Sequence, residues 1–285
     1  MHGNLTPFAD RLVPARADLA AAHLRGRVTA AAFAPGEPRR VTAPLLDLAT
    51  TPDAGAERAT QLLHGETFIV YEDREDGLAW GQATLDGYVG YVEARHLGRV
   101  AGSGRRVTAL WSHVYARPLA RAAVEHELPF LAEVPVSGTS GTFAKLRGGG
   151  FVPFAHLVAV AGDDFVAQAE RFVGVPYLWG GRSARGIDCS GLVQVALIAS
   201  GRSAPRDSDM QAALLGADVP AKTPFRRGDI VFWKGHVGIM RDRETLLHAN
   251  AHHMAVVSEP LAAVVARVAA SGGGAVTARR RLGGY

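Results

Sequence analysis

Gly174-Val175-Pro176-Tyr177-Leu178-Trp179-Gly180-Gly181 is followed, a few residues on, by Ile187-Asp188-Cys189-Ser190-Gly191-Leu192-Val193-Gln194. The second string opens a run from Cys189 to Ser200 that is apolar almost all round and ends at Gly201, which predicts a buried central helix with a glycine stop. Upstream, Asp163 to Phe172 carries acidic residues at its start and apolar residues at helical spacing, a second helix closed by Gly174 and Pro176. Downstream come four short β-rich runs: Asp229 to Trp233, His236 to Met240, Thr245 to Ala249 and Met254 to Val257. Helices first and an antiparallel sheet afterwards make an α+β domain over residues 162–285.

Ahead of this domain the pattern is different. Thr67 to Tyr71, Leu78 to Ala83 and Tyr88 to Val92 are short β-rich runs separated by polar turns, with Asp86-Gly87 as a hairpin signal. They predict a small all-β barrel over residues 41–103. A second round, residues 104–161, runs through Val107 to Leu110, Val114-Tyr115, Leu128 to Val134, Thr142 to Leu146 and Gly148 to Pro153. Its ending, Phe151-Val152-Pro153-Phe154-Ala155-His156-Leu157, parallels Tyr91-Val92-Glu93-Ala94-Arg95-His96-Leu97 of the first, so two β units in tandem are expected. Residues 1–40 read as an N-terminal arm, with a short Ala-rich helix around Asp18 to Leu24.

Composition bounds the rest. The 285 residues are 48% hydrophobic and 20% charged, an ordinary globular balance, and the net charge of +4 rests on scattered arginines. Only Arg279-Arg280-Arg281 clusters, so no nucleic-acid partner is expected. Charged residues interrupt the first thirty positions and no run approaches eighteen apolar residues, so neither a secretory leader nor a membrane span is expected. The single cysteine excludes an internal disulfide, and a reducing cytoplasm is the simpler setting.

By itself a lone cysteine is a small buried hydrophobe. Cys189, however, is placed at the first turn of its helix, where unpaired amides and the helix dipole favour a thiolate and offer the Cys189 N–H to an oxyanion. A nucleophilic thiol needs a base. If the hairpin after Met240 turns about Asp242, His236 stands directly across from His248, and the second ring can orient the first. A register one residue off would send one ring to the other face.

These strings, with Gly228-Asp229-Ile230-Val231-Phe232-Trp233, His236-Val237-Gly238-Ile239 and Leu247-His248-Ala249, resemble the successive signatures of the NlpC-type cysteine peptidases, papain-like enzymes that cut bacterial cell-wall peptides. The resemblance spans about residues 163–260 and implies Cys189 as nucleophile, His236 as base and His248 as the polar third member. Pro205 to Gln211 looks like the segment of a narrower branch, the γ-D-glutamyl-L-diamino acid endopeptidases, which places Asp207 near the substrate's free amino terminus. By the same resemblance Asp188 and Ser190 bind substrate, though Asp188 reads equally as a helix N-cap. Tyr177 and Trp179 read as pocket walls or as core aromatics. In that branch bacterial SH3-like barrels come first, and an acid and a tyrosine of the first barrel meet the substrate amine. Glu57 and Tyr88 are the candidates, with Tyr91 competing for the second role.

The implied reaction is hydrolysis of the γ-D-glutamyl-L-diamino acid bond of murein peptides with a free N-terminal L-Ala, in cell-wall peptide recycling, with no cofactor and no membrane partner. The alternative is a cell-wall peptide-binding module whose catalytic domain is inactive or acts as an acyltransferase. His248, His252 and His253 suggest a metal only if they share a helix, and the segment reads better as strand, turn, strand.

Overall fold

The computed structural model describes residues 8–99, 102, 104–157 and 164–283, and the chain divides into two units, Met1–Val160 and Ala161–Tyr285. The expected divisions at residues 103 and 161 fall on positions outside the described residues.

The C-terminal unit begins with α1 (Phe165–Glu170), whose N-cap Asp164 accepts a hydrogen bond from the Ala167 amide at 3.0 Å. The acidic start seen in the sequence is therefore a cap satisfying a free helix amide. The next helix, α2 (Cys189–Ala199), is buried from Cys189 to Ile198, as its all-round apolarity requires. Its end is set by Gly201. A positive φ of 79° there lets the Gly201 and Arg202 amides fold back on the Ile198 and Leu197 carbonyls at 3.0 and 2.9 Å, satisfying the last turn.

After α3 (Ser208–Leu214) come β1 (Ala217–Asp218), β2 (Asp229–Trp233), β3 (His236–Met240), β4 (Thr245–Asn250), β5 (Ala255–Pro260), α4 (Leu261–Ala270) and β6 (Ala278–Arg281). The strands form one antiparallel sheet in the order β1-β6-β2-β3-β4-β5. Val231, Trp233, Met240 and Leu246 pack with Val264 of α4, while the alternate residues Ile230, Phe232, Val237 and Ile239 point the other way and are equally buried. α2 lies against β3 and β4. The Gly228-Asp229 motif is structural: Asp229 is 0% exposed, and Arg281 of β6 grips it through two hydrogen bonds of 2.6 and 2.7 Å.

The β3–β4 hairpin differs from the expected register. Ile239 pairs with Leu247 and Met240 with Leu246, two residues away from the alignment that would set His236 opposite His248. The cause lies in the turn. Asp242 Oδ1 accepts from both the Glu244 and Thr245 amides at 2.8 Å, which centres the turn on Arg243 rather than Asp242. A slip of two preserves the faces, so both histidines still share one side of the sheet, on a diagonal.

The N-terminal unit is built of β-strands, apart from one helical turn at Ala9–Leu12 and short 3-10 turns. Seven antiparallel strands, in the order Arg58–Leu63, Leu45–Ala49, Val89–Glu93, Leu78–Ala83, Thr67–Asp73, Glu37–Val41 and Leu97–Arg99, close around Leu48, Leu63, Phe68 and Val92. Five more, Val124–Pro129, Trp111–Tyr115, Phe151–Pro153, Phe143–Leu146 and Val136–Ser140, enclose Val114, Leu128, Val134, Ala144 and Val152. The two parallel endings both run from a strand into a 3-10 turn, Ala94–His96 and Phe154–Leu157.

Two expectations are corrected here. Glu37–Val41 is a barrel strand paired on both sides, so the arm does not extend to residue 40. Nor is there a helix at Asp18 to Leu24: Leu19–Ala21 is a strand parallel to Ala32–Ala34, and Ala22–Leu24 is a 3-10 turn. Alanine's helix propensity, a few tenths of a kcal/mol per residue, yields to these pairings. Arg16 then fastens the segment to the barrel, with an ion pair to Glu72 at 2.8 Å and its guanidinium 4.3 Å from the Trp80 ring centre.

Candidate active site

Cys189 starts α2 beneath an N-cap, Asp188, whose carboxylate is fully engaged. Asp188 Oδ1 accepts from the Gly191 amide at 2.6 Å and Oδ2 from the Gly180 amide at 2.8 Å. Arg206 Nη1 and Nη2 complete the set at 2.9 and 2.6 Å, and Nη1 also donates to Ser190 Oγ at 2.9 Å. The glycine two residues after Cys189 is a close-approach position: a Cβ on Gly191 would lie 2.4 Å from the Gly181 carbonyl oxygen. The Tyr177 to Gly181 string and the helix start are thus one interlocked piece. Backbone amides of Val237, next to His236 on β3, and of Ser190 are directed at the Cys189 sulfur.

On β3, the strand whose Val237 amide is directed at Cys189, His236 Nε2 lies 2.8 Å from His248 Nδ1. His248, 1% exposed, places Nε2 at 2.9 Å from Glu259 Oε1 on β5 and 3.0 Å from Asn250 Nδ2. Arg267 of α4 clasps Glu259 through two hydrogen bonds of 2.8 and 2.5 Å. A cavity of about 240 Å³ opens beside the ring pair, bounded by His236, His248, Asn250, His252, Arg267 and Ser271.

Electrostatics correct one expectation. Burial, and then the Asp188 charge, push the Cys189 thiol up to about 12, against the opposing pull of the Val237 amide, Arg206 and the Ser190 amide. The helix start does not outweigh the loss of water, so the resting group is a thiol. Burial, with help from His248 and Arg267, pulls His236 down to about 3 despite Glu259. Burial therefore opposes the charged form at both Cys189 and His236.

Acid sensitivity follows. His236 titrates lower in the folded chain than its ordinary 6.5, His248 is shifted the same way by burial, and Glu259, held by Arg267 and His248, falls to about 2. Each group is proton-poor when folded and takes up protons on unfolding, so its stability contribution is present above the unfolded pKa and lost as pH falls through the folded one. The midpoint of thermal unfolding of the C-terminal unit is expected to fall steadily as pH is lowered from about 6.5 toward 3, and the fall is expected to be shallower in His236→Ala. A flat profile in the parent chain would contradict this.

Asp188 caps the helix that Cys189 starts, Ser190 is turned into the Arg206 network rather than outward, and His236 and His248 meet on the sheet against which that helix lies. Asp207 follows Arg206 directly, half-buried at the N-cap position of α3, and its side chain does not cap that helix. Trp179 is 57% exposed, so it is not a core aromatic. The Tyr177 phenol has its pKa raised by burial first and then by Cys189 and Asp188, which marks it as a neighbour of Cys189. In the other unit Glu57 is exposed in the loop after Leu45–Ala49, and Tyr88 is buried just before Val89–Glu93. Its competitor Tyr91 has its hydroxyl taken by Arg16 Nη1 at 3.1 Å. Sequence reasoning missed Arg206, Glu259 and Arg267. Arg206 stood inside a quoted motif, and its adjacency to Asp207 was the available signal; nothing local marked the other two.

Comparison with known proteins agrees with this geometry. Residues 174–268 match the NlpC/P60 family, and residues 48–97 match the bacterial dipeptidyl-peptidase SH3 domain. A γ-D-glutamyl-L-lysine dipeptidyl-peptidase of Bacillus subtilis is 34% identical over 141 residues, covering 44% of this chain and 47% of that protein. A probable endopeptidase of Corynebacterium glutamicum is 42% identical over 98 residues, covering 33% of this chain and 46% of its own. The chain thus spans less than half the length of these two curated relatives. Among solved structures, an NlpC/P60 family protein from Bacillus cereus superposes with a TM-score of 0.71 over 86% of this chain and 99% of its own, at 18% identity, a likeness of fold.

Proposed function

We propose that this chain, which carries an NlpC/P60 domain behind a bacterial dipeptidyl-peptidase SH3 domain, is a cysteine endopeptidase acting on murein peptides. The observation that carries the reading is the 2.8 Å contact of His236 Nε2 with His248 Nδ1 on the strand whose next amide, that of Val237, is directed at the only thiol. That arrangement suits acyl transfer to sulfur.

The bond attacked is the γ-D-glutamyl-L-diamino acid amide of a peptide with a free N-terminal L-Ala. Cys189 Sγ bonds to the γ-carbonyl carbon as its proton passes to Nδ1 of His236. The Cys189 N–H, first in its helix, stabilises the oxyanion. The C–N bond then breaks, and the leaving amine takes the proton from His236. Water, activated by the same ring, cleaves the thioester and restores the thiol. Asp207 reads the substrate ammonium, and Trp179 rims the site. An ammonium removed from water needs a carboxylate partner. Such a preference fits trimmed peptides in recycling, and a nucleophile that must stay reduced fits the cytoplasm.

The test is hydrolysis of L-Ala-γ-D-Glu-L-Lys and of its diaminopimelate counterpart, followed by mass spectrometry, against the same peptides acetylated at the amino terminus. Acetylation is expected to lower kcat/KM by roughly 10²-fold, the cost of leaving the half-buried Asp207 carboxylate unpaired in the complex. Equal rates would remove the ammonium-reading part, and no cleavage of either peptide would remove the substrate assignment.

A further inference from the structure

Two imidazoles in series present a problem that one does not. Each neutral ring has one N–H and one bare nitrogen, so the ring at the far end fixes the state of the near one. For His236 to take the thiol proton its Nδ1 must be bare, so its Nε2 must carry hydrogen and donate to His248 Nδ1 across the 2.8 Å contact. His248 Nδ1 must then be bare and its Nε2 must carry hydrogen. Two groups contend for that nitrogen. Asn250 Nδ2, 3.0 Å away, is a donor, and its amide is held in that orientation because Asn250 Oδ1 accepts the His253 amide at 2.8 Å. Donation from Asn250 would require a bare Nε2 and would reverse both rings, closing His236 Nδ1 to the thiol. Glu259 Oε1, 2.9 Å away, is an acceptor and requires the opposite.

We propose that Glu259, held in place by Arg267, is the positioning residue that sets the tautomers of both His248 and His236 and so keeps the base open toward Cys189. The assignment rests on the peptidase reading above. An ionised carboxylate is a stronger partner for an imidazole N–H than an amide donor is for its lone pair, so Glu259 prevails over Asn250. Arg267 keeps the carboxylate ionised and aimed, since both of its terminal nitrogens bond to Glu259. No proton passes to Glu259 in this scheme; it orients, as the buried acid does behind a single histidine. Among the described residues, the charged and titratable groups facing the pair are Glu259 and Arg267, with His253 at 3.7 Å from Glu259 Oε1 and edge-on to His252.

The experiment compares the full chain with Glu259→Ala and Glu259→Gln, reading kcat, KM and the pH profile. In Glu259→Ala the Asn250 amide captures Nε2, and kcat is expected to fall by about 10²-fold with KM unchanged, at the low end of what a general base contributes. Glu259→Gln keeps a carbonyl acceptor, and its kcat is expected to recover to within about tenfold of the parent, since only the geometry of the acceptor is retained. Both variants lose the anion that favours a charged His236, so the acid limb of kcat/KM shifts to lower pH in each. A purely structural role would move neither the limb nor the ratio between the two variants. Should no murein peptide be cleaved by the parent chain, the alkylation rate of the single thiol by iodoacetamide reports the same device without a substrate. There Glu259→Ala is expected to react more slowly than Glu259→Gln. Equal kcat in the parent and Glu259→Ala, an unshifted acid limb, or equal alkylation rates in the two variants would each overturn the proposal. Because the Ala variant could unfold, Arg267→Met serves as a second probe: it is expected to lower kcat while the native circular dichroism is retained, and an unchanged kcat there also counts against the assignment.

Discussion

Cys189→Ala is expected to abolish peptide hydrolysis, with kcat falling by on the order of 10⁵-fold or more, since removing a nucleophile leaves only binding and oxyanion contacts. The fold is expected to survive. Cys189 sits 7% exposed at the start of α2, and alanine removes one sulfur from a place where Asp188, Gly180, Gly191 and Arg206 hold the chain independently of it. The lost packing costs about 1 kcal/mol, so circular dichroism and the thermal midpoint should change little. Because there is no other cysteine, any thiol labelling of the parent reports this site alone. Residual cleavage at the parental rate by the alanine variant would refute Cys189 as the nucleophile.

Arg206→Ala is expected to have the largest effect on stability, about 3–5 kcal/mol, because it strands the Asp188 carboxylate in the protein interior. Arg206 is 1% exposed and Asp188 6%, and the guanidinium also ties Ser190 Oγ into the same network. The Gly180 and Gly191 amides and the Ser190 hydroxyl that remain on Asp188 carry no charge to neutralise it. Arg206→Met combined with Asp188→Asn is expected to recover much of the loss, since asparagine still caps the helix while the buried charge disappears with its partner. Urea unfolding of the single and double variants measures both. A single variant within about 1 kcal/mol of the parent would show that the pair is not what holds the helix start. Activity is expected to track this order, because the geometry of Cys189 is inherited from its N-cap.

Much of the C-terminal unit was legible in the sequence for local reasons. An apolar run between an Asp and a Gly is a capped, buried helix wherever it occurs, and the β2 to β5 runs carry their own turns. The shared face of His236 and His248 was legible too, since it depends only on parity. Their register was not. It depends on Asp242 taking two amides at once, which shifts the turn by one residue and the pairing by two. The N-terminal segment misled for a related reason: Ala-rich composition favours helix, but pairing with Ala32–Ala34 supplies strand partners that composition does not display.

What the sequence by itself determined is the setting of Cys189: a cysteine one residue past an Asp cap at the start of a buried helix, and two histidines of matching parity. These are short-range relations, carried by neighbours along the chain or across one hairpin. Only the tertiary structure decided the protonation of the pair and what lies behind it. Burial of Cys189 and His236 is the sum of many distant contacts, and it overrides the helix start to oppose the charged form at both. Arg206, far from Asp188 in sequence, and Glu259 with Arg267, beyond the last motif, reach the site only when α3, β5 and α4 fold against it. Desolvation and charge pairing act through space, and a linear string of residues does not record distance through space.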